Sequence, residues 1–458
     1  MAKTNVPRPS IHTHEGAIAQ HINSELQLRR SVMACLIWEN EFYEDGQSIA
    51  KRIADTIPLV KPEVVSQIAI DAREKMKLRH IPLFIVREMA RHTSHKPFVS
   101  KTLTTVIQRA DELAEFLAIY WKDKRQPLSA QVKKGLASAF CKFNEYALAK
   151  YNRDGAIKLR DVLFLCHAKP KDKEQEALWK RLINNELVTP DTWEVALSAG
   201  KNKKETWERL IRENSLGGLA FLRNLRNMKE ANVDEKTIFS GLEAMKTDRI
   251  LPYRFISAAK YAPQWEDKIE PTMLRCLEGR KKLPGKTVLL VDVSGSMDQP
   301  ISAKSDMTRM DAACGLAIMT RELCENVEVF AFSDNFVQVP PRRGFALRDA
   351  IVNSQRHSGT PLGLAVKCVY APRDFKHVEP LYGGMYRNEG NYNGQALAPD
   401  RLIVITDEQS SGPVPDPKGS GYMINVASAT NGVGYGAWMH IDGWSEAILD
   451  YIREISNQ

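Results

Sequence analysis

Two patterns of hydrophobic positions run along this chain, and one gives way to the other near residue 283. Upstream, apolar residues recur every three or four positions: Leu103, Val106, Ile107, Ala110, Leu113, Ala114, Leu117 and Trp121 form one stripe. Val132, Leu136, Ala139, Phe140, Phe143 and Ala147 repeat it. This spacing predicts amphipathic helices across residues 1–282, with no strand alternation between them. Pro62, Pro82, Pro190 and Pro252 each open an apolar-periodic segment, where a missing N–H costs nothing. Thr189-Pro190-Asp191 reads as a cap, a first-turn proline and an acid at the positive helix end, with Gly200 closing that helix. Helix pairs of about 40 residues would number roughly seven here, which suits a HEAT-like solenoid.

Downstream the period changes. Thr287–Val291 is a continuous apolar run too short for a helix, and Val327–Phe332, Leu402–Thr406 and Met423–Ala427 resemble it. Helical stretches at Met307–Cys324, Leu362–Val369 and Trp444–Ile455 alternate with them. Alternating buried strands and helices predict a doubly wound α/β sheet whose ligand sits beyond the strand C-terminal ends. The expected domains are therefore residues 1–282 and 283–458.

The residues at that sheet edge carry the sharpest chemistry. Asp292-Val293-Ser294-Gly295-Ser296 follows the first strand, Thr360 opens a later helix, and Asp407 ends the strand Leu402–Thr406. Two carboxylates and three hydroxyls are an all-oxygen set of the kind hard cations such as Mg²⁺ take. The two-residue spacing lets both serine hydroxyls turn to one side of a single loop. Asp292 and the serines could instead cap the following helix. With so few carboxylates, a bound divalent cation keeps positive charge and can accept an acidic ligand from outside.

Charge sharpens the division. The net charge is +8. Residues 1–282 hold 49 basic and 36 acidic side chains, against 15 and 20 from Leu283 onward. A basic half joined to an acidic one suggests that the first meets a polyanion, although solvated helical surfaces carry such surpluses too. The seven cysteines include no CxxC pair, so neither a disulfide framework nor a zinc finger is expected. No apolar run reaches the roughly 18 residues that span a bilayer, and the first residues lack the apolar core of a signal peptide. A cytoplasmic protein without a membrane partner is expected.

The set Asp292, Ser294, Ser296, Thr360 and Asp407 resembles the metal-ion-dependent adhesion site (MIDAS) of von Willebrand factor A domains, over about residues 284–458. That resemblance implies that all five ligate the cation, a partner's Glu or Asp completing the shell. Two upstream segments, Pro82-Leu83-Phe84-Ile85-Val86-Arg87-Glu88-Met89-Ala90-Arg91-His92 and Leu159-Arg160-Asp161-Val162-Leu163-Phe164-Leu165-Cys166-His167-Ala168-Lys169-Pro170, look like the TROVE module of the Ro autoantigen family. The stretch from Gly432 to Glu446 is similar to the bacterial members. With the A domain, the resemblance covers nearly the whole chain.

The resemblance implies a ring of HEAT-like repeats closed by the A domain, a monomer rather than an oligomer. It implies a small noncoding Y RNA on the outer basic surface, and single-stranded 3′ ends of misfolded RNAs in the central hole. Some bacterial members tether polynucleotide phosphorylase through the Y RNA. The family's role is scaffolding and RNA quality control, not catalysis. Its Y RNA site maps His167 and Arg153 onto this chain, and Lys150 with a register one residue from the family spacing.

Taken alone, Lys150 and Arg153 are phosphate-binding cations or a solvated helix end, and His167 a phosphate donor or a core histidine. Arg91, His92, His95 and Lys96 form a basic cluster that fits single-stranded RNA and equally fits cations at a helix C-terminus. No Ser–His–Asp order, paired catalytic carboxylates or GxxxxGK[ST] loop appears. The expected function is an RNA-binding scaffold. The rival is a protein adaptor whose A domain grips an acidic ligand, and a metal-dependent nuclease ranks third because no general base is evident.

Overall fold

The computed structural model describes residues 11–12, 18–19, 23–33, 46–152, 154–247, 250, 252–301, 306–370, 397–410, 412–427, 437–442, 448–449 and 452. They pack as two compact units. One comprises Ser24–Cys35 and Ala50–Leu210, the other Met1–Asn23, Leu36–Ile49 and Ile211–Gln458.

In the first unit α1 (Ser24–Met33) and most of α2 (Gly46–Thr56) precede α3 (Pro62–Glu74), α4 (His80–Arg91), α5 (Lys96–Val106) and α6 (Asp111–Tyr120). Then come α7 (Ala130–Phe140), α8 (Glu145–Tyr151), α9 (Leu159–Cys166), α10 (Lys173–Asn184) and α11 (Trp193–Ser198), and α12 (Lys203–Arg212) runs up to the division between units. Much of the array packs by alternate helices. α3 meets α5, α5 meets α7 and α7 meets α9, while α4 meets α6 and α8 meets α10. Two layers of stacked helices are the packing of a HEAT-like array. Gly135 of α7 permits the close approach to α5, since a Cβ there would lie 3.0 Å from both Leu103 Cβ and Ser100 O.

The continuous stripes of the sequence are interrupted. The run from Leu103 to Trp121 is split between α5 and α6, because polar groups terminate α5 before its periodicity ends. Glu112 accepts from the backbone N–H of Gln108 (2.7 Å) and Arg109 (3.0 Å), and also pairs with buried Arg73 at 2.6 Å. Lys142 donates to the carbonyls of Thr104, at 2.6 Å, and Ile107, at the C-terminal end of α5. The second stripe breaks likewise at Asn144, whose side chain accepts from Ala147 N at 2.9 Å and caps α8. Pro62 and Pro252 do open helices, but Pro82 is the third residue of α4. Pro190 precedes α11, whose cap is Thr192 rather than Thr189, because the Thr192 hydroxyl accepts from Val195 N at 3.3 Å. The expected absence of strands upstream is also corrected: β1 (Ile11–His12) and β2 (Ile18–Ala19) pair antiparallel.

The second unit holds α13 (Gly218–Arg223), α14 (Leu225–Glu230), α15 (Glu235–Ala244), α16 (Pro252–Tyr261) and α17 (Glu266–Arg275). They precede a six-stranded sheet of β3 (Leu283–Asp292), β4 (Cys324–Phe332), β5 (Phe336–Gln338), β6 (Arg401–Thr406), β7 (Ser420–Asn425) and β8 (Met439–Asp442). The strand order is β5-β4-β3-β6-β7-β8, parallel except for the β5 edge. The sequence anticipates β3, β4, β6 and β7 but not the short β5 or β8. Helices α18 (Arg309–Leu323), α19 (Gly344–Val352) and α20 (Leu362–Tyr370) belong to this sheet domain. Val288, Leu290, Phe330, Phe332, Leu402 and Val404 pack with Leu362 and Val366 of α20 on one face. The alternate residues Leu289, Val291, Ile403 and Ile405 are equally buried, so both faces are covered, as in a doubly wound fold.

The change of pattern at residues 282 and 283 marks where helices give way to the sheet, while the compact units divide at residue 211. The reason is that α16 packs on α18, and α17 on α19. Ile256 fits against Gly315, Glu266 holds Arg348 through two bonds of 2.9 and 3.1 Å, and Glu270 accepts from Phe345 N. The six described cysteines are free thiols. Among the described residues no helix is long and apolar enough to cross a membrane.

One glycine positions the start of α20, and with it Thr360. A Cβ on Gly363 would lie 2.1 Å from Pro413 O, a backbone atom that cannot swing aside. Gly363→Ala is expected to cost roughly 1–3 kcal/mol, read as a lower urea midpoint with an unchanged slope.

Candidate functional site

The sheet order places a topological switch point at its centre. From β3 the chain moves to β4 on one side and later returns to β6 on the other, so the connections diverge beyond the ends of β3 and β6. Asp292 ends β3 and Asp407 follows β6, both fully buried. Asp292 Oδ1 accepts from Ser294 N at 2.8 Å and Oδ2 from the Thr406 hydroxyl at 2.6 Å. Ser294 and Ser296 bring their hydroxyl oxygens within 3.2 Å of each other, as the spacing predicted. Gly295 N donates to Ser358 O at 3.0 Å, which ties this loop to the segment leading to Thr360, itself buried. Helix capping does not account for these side chains: α18 begins at Arg309 and its cap is Thr308, in a box with Asp311.

A residue that the sequence reading missed completes the arrangement. Arg309, 2 % exposed, donates from Nη1 to Asp407 Oδ2 at 2.9 Å and to Ser296 O at 3.3 Å. Among the described residues buried Asp407 Oδ1 has no hydrogen-bond partner. Burial raises both carboxyls above the usual range. The neighbouring Asp407 pushes Asp292 further, while the Ser296 hydroxyl and Arg309 draw Asp407 back. With both carboxyls ionised, one guanidinium would leave the pair a charge short of neutral, and the raised pKa values record the cost of that state. An orphaned carboxylate oxygen beside paired hydroxyls fits a hard divalent cation, and Asp292, Ser294, Ser296, Thr360 and Asp407 could hold one.

The basic residues singled out upstream fall in different settings. Lys150 sits in the last turn of α8 with its ammonium 5.9 Å from the rings of both Tyr146 and Tyr151, beside a cavity of about 740 Å³ that Asn152 and Thr189 also line. His167 is exposed at the C-cap of α9 in the left-handed conformation, φ 53°, so it is not a core histidine. Arg153 lies outside the described residues. Arg91 is paired with Glu88 at 3.3 Å and Asp123 at 2.7 Å, His92 is half-buried, and Lys96 is exposed at the start of α5. His95 must be withdrawn from the RNA-facing set. It is 1 % exposed, its Nδ1 lies 3.0 Å from Ser94 Oγ, and burial holds its pKa below the ordinary value.

The sequence model of the TROVE domain matches residues 30–186 and 179–281, more than half of the chain. The chain belongs to the TROVE family. Members of this TROVE/Ro group generally bind RNA. The crystal structure of the Ro (RSR) protein of Deinococcus radiodurans superimposes with a TM-score of 0.60 at 17% identity, covering 92% of this chain and 97% of that one. This TROVE chain therefore shares the Ro fold, helical array and sheet domain together. Telomerase protein component 1 of Rattus norvegicus is 22% identical over 323 residues. That match takes in 51% of the TROVE chain but only 12% of the rat protein.

In this TROVE protein two further side chains had only faint signals in sequence. Arg309 is one of two charges that open a mostly apolar helix, with Asp311 the other. Phe164, 58% exposed on α9, lies one helical turn from both Arg160 and His167.

The sign of the carboxyl shifts sets a pH dependence. The folded protein releases the Asp292 and Asp407 protons at higher pH than the unfolded chain. Their stabilising contribution is thus full at acid pH and lost as pH rises through the folded values. Chelator-treated protein is expected to unfold at lower urea at about pH 8 than at about pH 5 through this pair, and Asp292→Asn to flatten the difference. Arg309→Met should cost about 3 kcal/mol at about pH 8 and less at about pH 5, in the same measurement.

Proposed function

We propose that this chain is an RNA-binding scaffold. Its helical array holds a small structured noncoding RNA of the Y type and also takes single-stranded 3′ ends, in RNA quality control or processing. The observation that carries the reading, beside membership of the family, is the placement of half-buried Lys150 at an open cavity and of His167 in solvent. Lys150 borders an open cavity and His167 an exposed helix end, while Arg91 is engaged by carboxylates. Cations left free of carboxylates bind phosphates and release counterions, which makes affinity fall as salt rises. Exposed Tyr146 and Phe164 add rings on which bases can stack.

In the same proposal the sheet domain holds Mg²⁺ or another divalent cation at Asp292, Ser294, Ser296, Thr360 and Asp407. The ion supplies charge to attract an acidic group from a partner. This chain's own residues do the rest: Thr406 and Ser294 N orient Asp292, and Arg309 fixes Asp407. The site serves binding rather than catalysis, in the cytoplasm.

Filter binding of a structured RNA with a free 3′ tail, over a range of salt, tests the first part. Lys150→Ala with His167→Ala is expected to weaken binding roughly tenfold and to lower the salt slope by about one per lost phosphate contact. Salt-insensitive or absent binding by the wild type would overturn the scaffold reading in favour of the protein adaptor. For the metal, Mg²⁺ at about a hundred times its dissociation constant should stabilise chelator-treated protein by about 2.7 kcal/mol. Ser296→Ala should abolish that gain while leaving metal-free stability nearly unchanged.

A further inference from the structure

The second unit contains an arginine-lined pocket that the proposed function does not use. Within α16, Arg254, Ser257, Ala258 and Tyr261 follow at intervals of three, one and three residues, so they share one helix face. Opposite stand Arg223 at the end of α13 and Arg226 in α14. Buried Asn224 makes the turn between those two helices, donating to Ala220 O at 2.8 Å and accepting from Asn227 Nδ2 at 2.8 Å. The three arginines thus converge on a cavity of about 520 Å³, floored by Leu222 and Ala258.

The electrostatics are unbalanced. Among the described residues Asp306 is the only acid in the lining, and the Tyr261 hydroxyl donates to it. Arg226 has an exposed partner, Glu230, at 3.5 Å, but neither Arg223 nor Arg254 has a carboxylate partner among the described residues. All three arginines are exposed and project from short, well-packed helices. Guanidinium groups present several N–H donors in a plane, a geometry that matches phosphate oxygens. Tyr261 adds the second half of a nucleotide site. Its hydroxyl is anchored, its ring stays 39% exposed, and Arg226 lies over that ring at 5.7 Å from the centroid. An anchored aromatic beside unpaired guanidiniums is the pairing that single-stranded nucleic acids use, a base stacking while the backbone is neutralised. A duplex keeps its bases stacked inside and cannot offer one to a pocket of this size.

We propose that the pocket of Arg223, Arg226, Arg254 and Tyr261 binds single-stranded RNA. Its arginines clamp one or two backbone phosphates and Tyr261 takes a base. This rests on the RNA-binding reading above and adds to it a strand-binding site separate from Lys150 and His167. A free nucleotide offers the same phosphate and base chemistry, so the test distinguishes the two.

The experiment uses the full chain and fluorescence anisotropy with a labelled oligouridylate of about ten nucleotides. A structured RNA without a single-stranded tail is the second probe, and uridine 5′-monophosphate the competitor. Arg223→Gln with Arg254→Gln is expected to weaken the oligonucleotide at least about tenfold and to leave the tail-less RNA unchanged. Tyr261→Ala is expected to weaken it several-fold, and Tyr261→Phe to restore most of that loss, because the ring remains. Undiminished oligonucleotide binding by the double arginine variant would overturn the pocket and leave the scaffold reading standing. A wild type that binds neither RNA would overturn both. Competition by the mononucleotide at the oligonucleotide's own affinity would make this a free-nucleotide site and overturn strand binding.

Discussion

Two carboxylates buried at neighbouring strand ends repel each other, and the centre of the sheet domain is built around that cost. Asp292 and Asp407 meet because β3 and β6 are adjacent while the chain leaves them in opposite directions. Among the described parallel strands, only this neighbouring pair is left by the chain in opposite directions. Hydrogen bonds from Thr406 and Ser294 N, and the Arg309 guanidinium, hold the pair in place without neutralising it. Held by its own hydrogen bonds, the pair suits the cation proposed for it. The same wiring couples site to fold. Arg309 is the first residue of α18, which packs on β3, β4 and β6 and, through Gly315, against α16.

The helical array manages charge differently. Many of its basic side chains are spent on structure: Arg73 on Glu112, Arg79 on Asp111 and Glu115, Arg87 on Asp123, each joining segments separated in sequence. Lys142 closes the end of α5, and burial lowers its pKa. Net charge is therefore a poor map of a binding surface. The relevant cations are those whose neighbours are aromatic or solvent, such as Lys150 beside Tyr146, or Arg254 over Tyr253 at 4.7 Å. In those places the field faces outward, and a polyanion can replace water around the charge.

What could be read in advance follows from how local each determinant is. Strand and helix periods, the buried runs of β3, β4 and β6, and the loop from Asp292 to Ser296 are set by residues within a few positions of one another. Such patterns survive in any fold that buries them, and they were legible. Thr360 and Asp407 were legible as well, because a doubly wound sheet sends its strand ends to one edge. The helix breaks at Ile107 and Cys141 were not, since side chains from other segments decide them, as Lys142 does at the end of α5.

By itself the amino-acid sequence determined the change from helices to sheet, four of the sheet's strands and the oxygen-rich cluster at their ends, because periodicity and motif spacing are properties of neighbouring residues. Only the tertiary structure decided that Arg309 pairs with Asp407 in that cluster, that His95 is inside and His167 outside, and that Arg223, Arg226 and Arg254 converge on one pocket. Those outcomes depend on which distant segments pack together. Burial and pairing of a charge are settled by long-range contacts that no local pattern records.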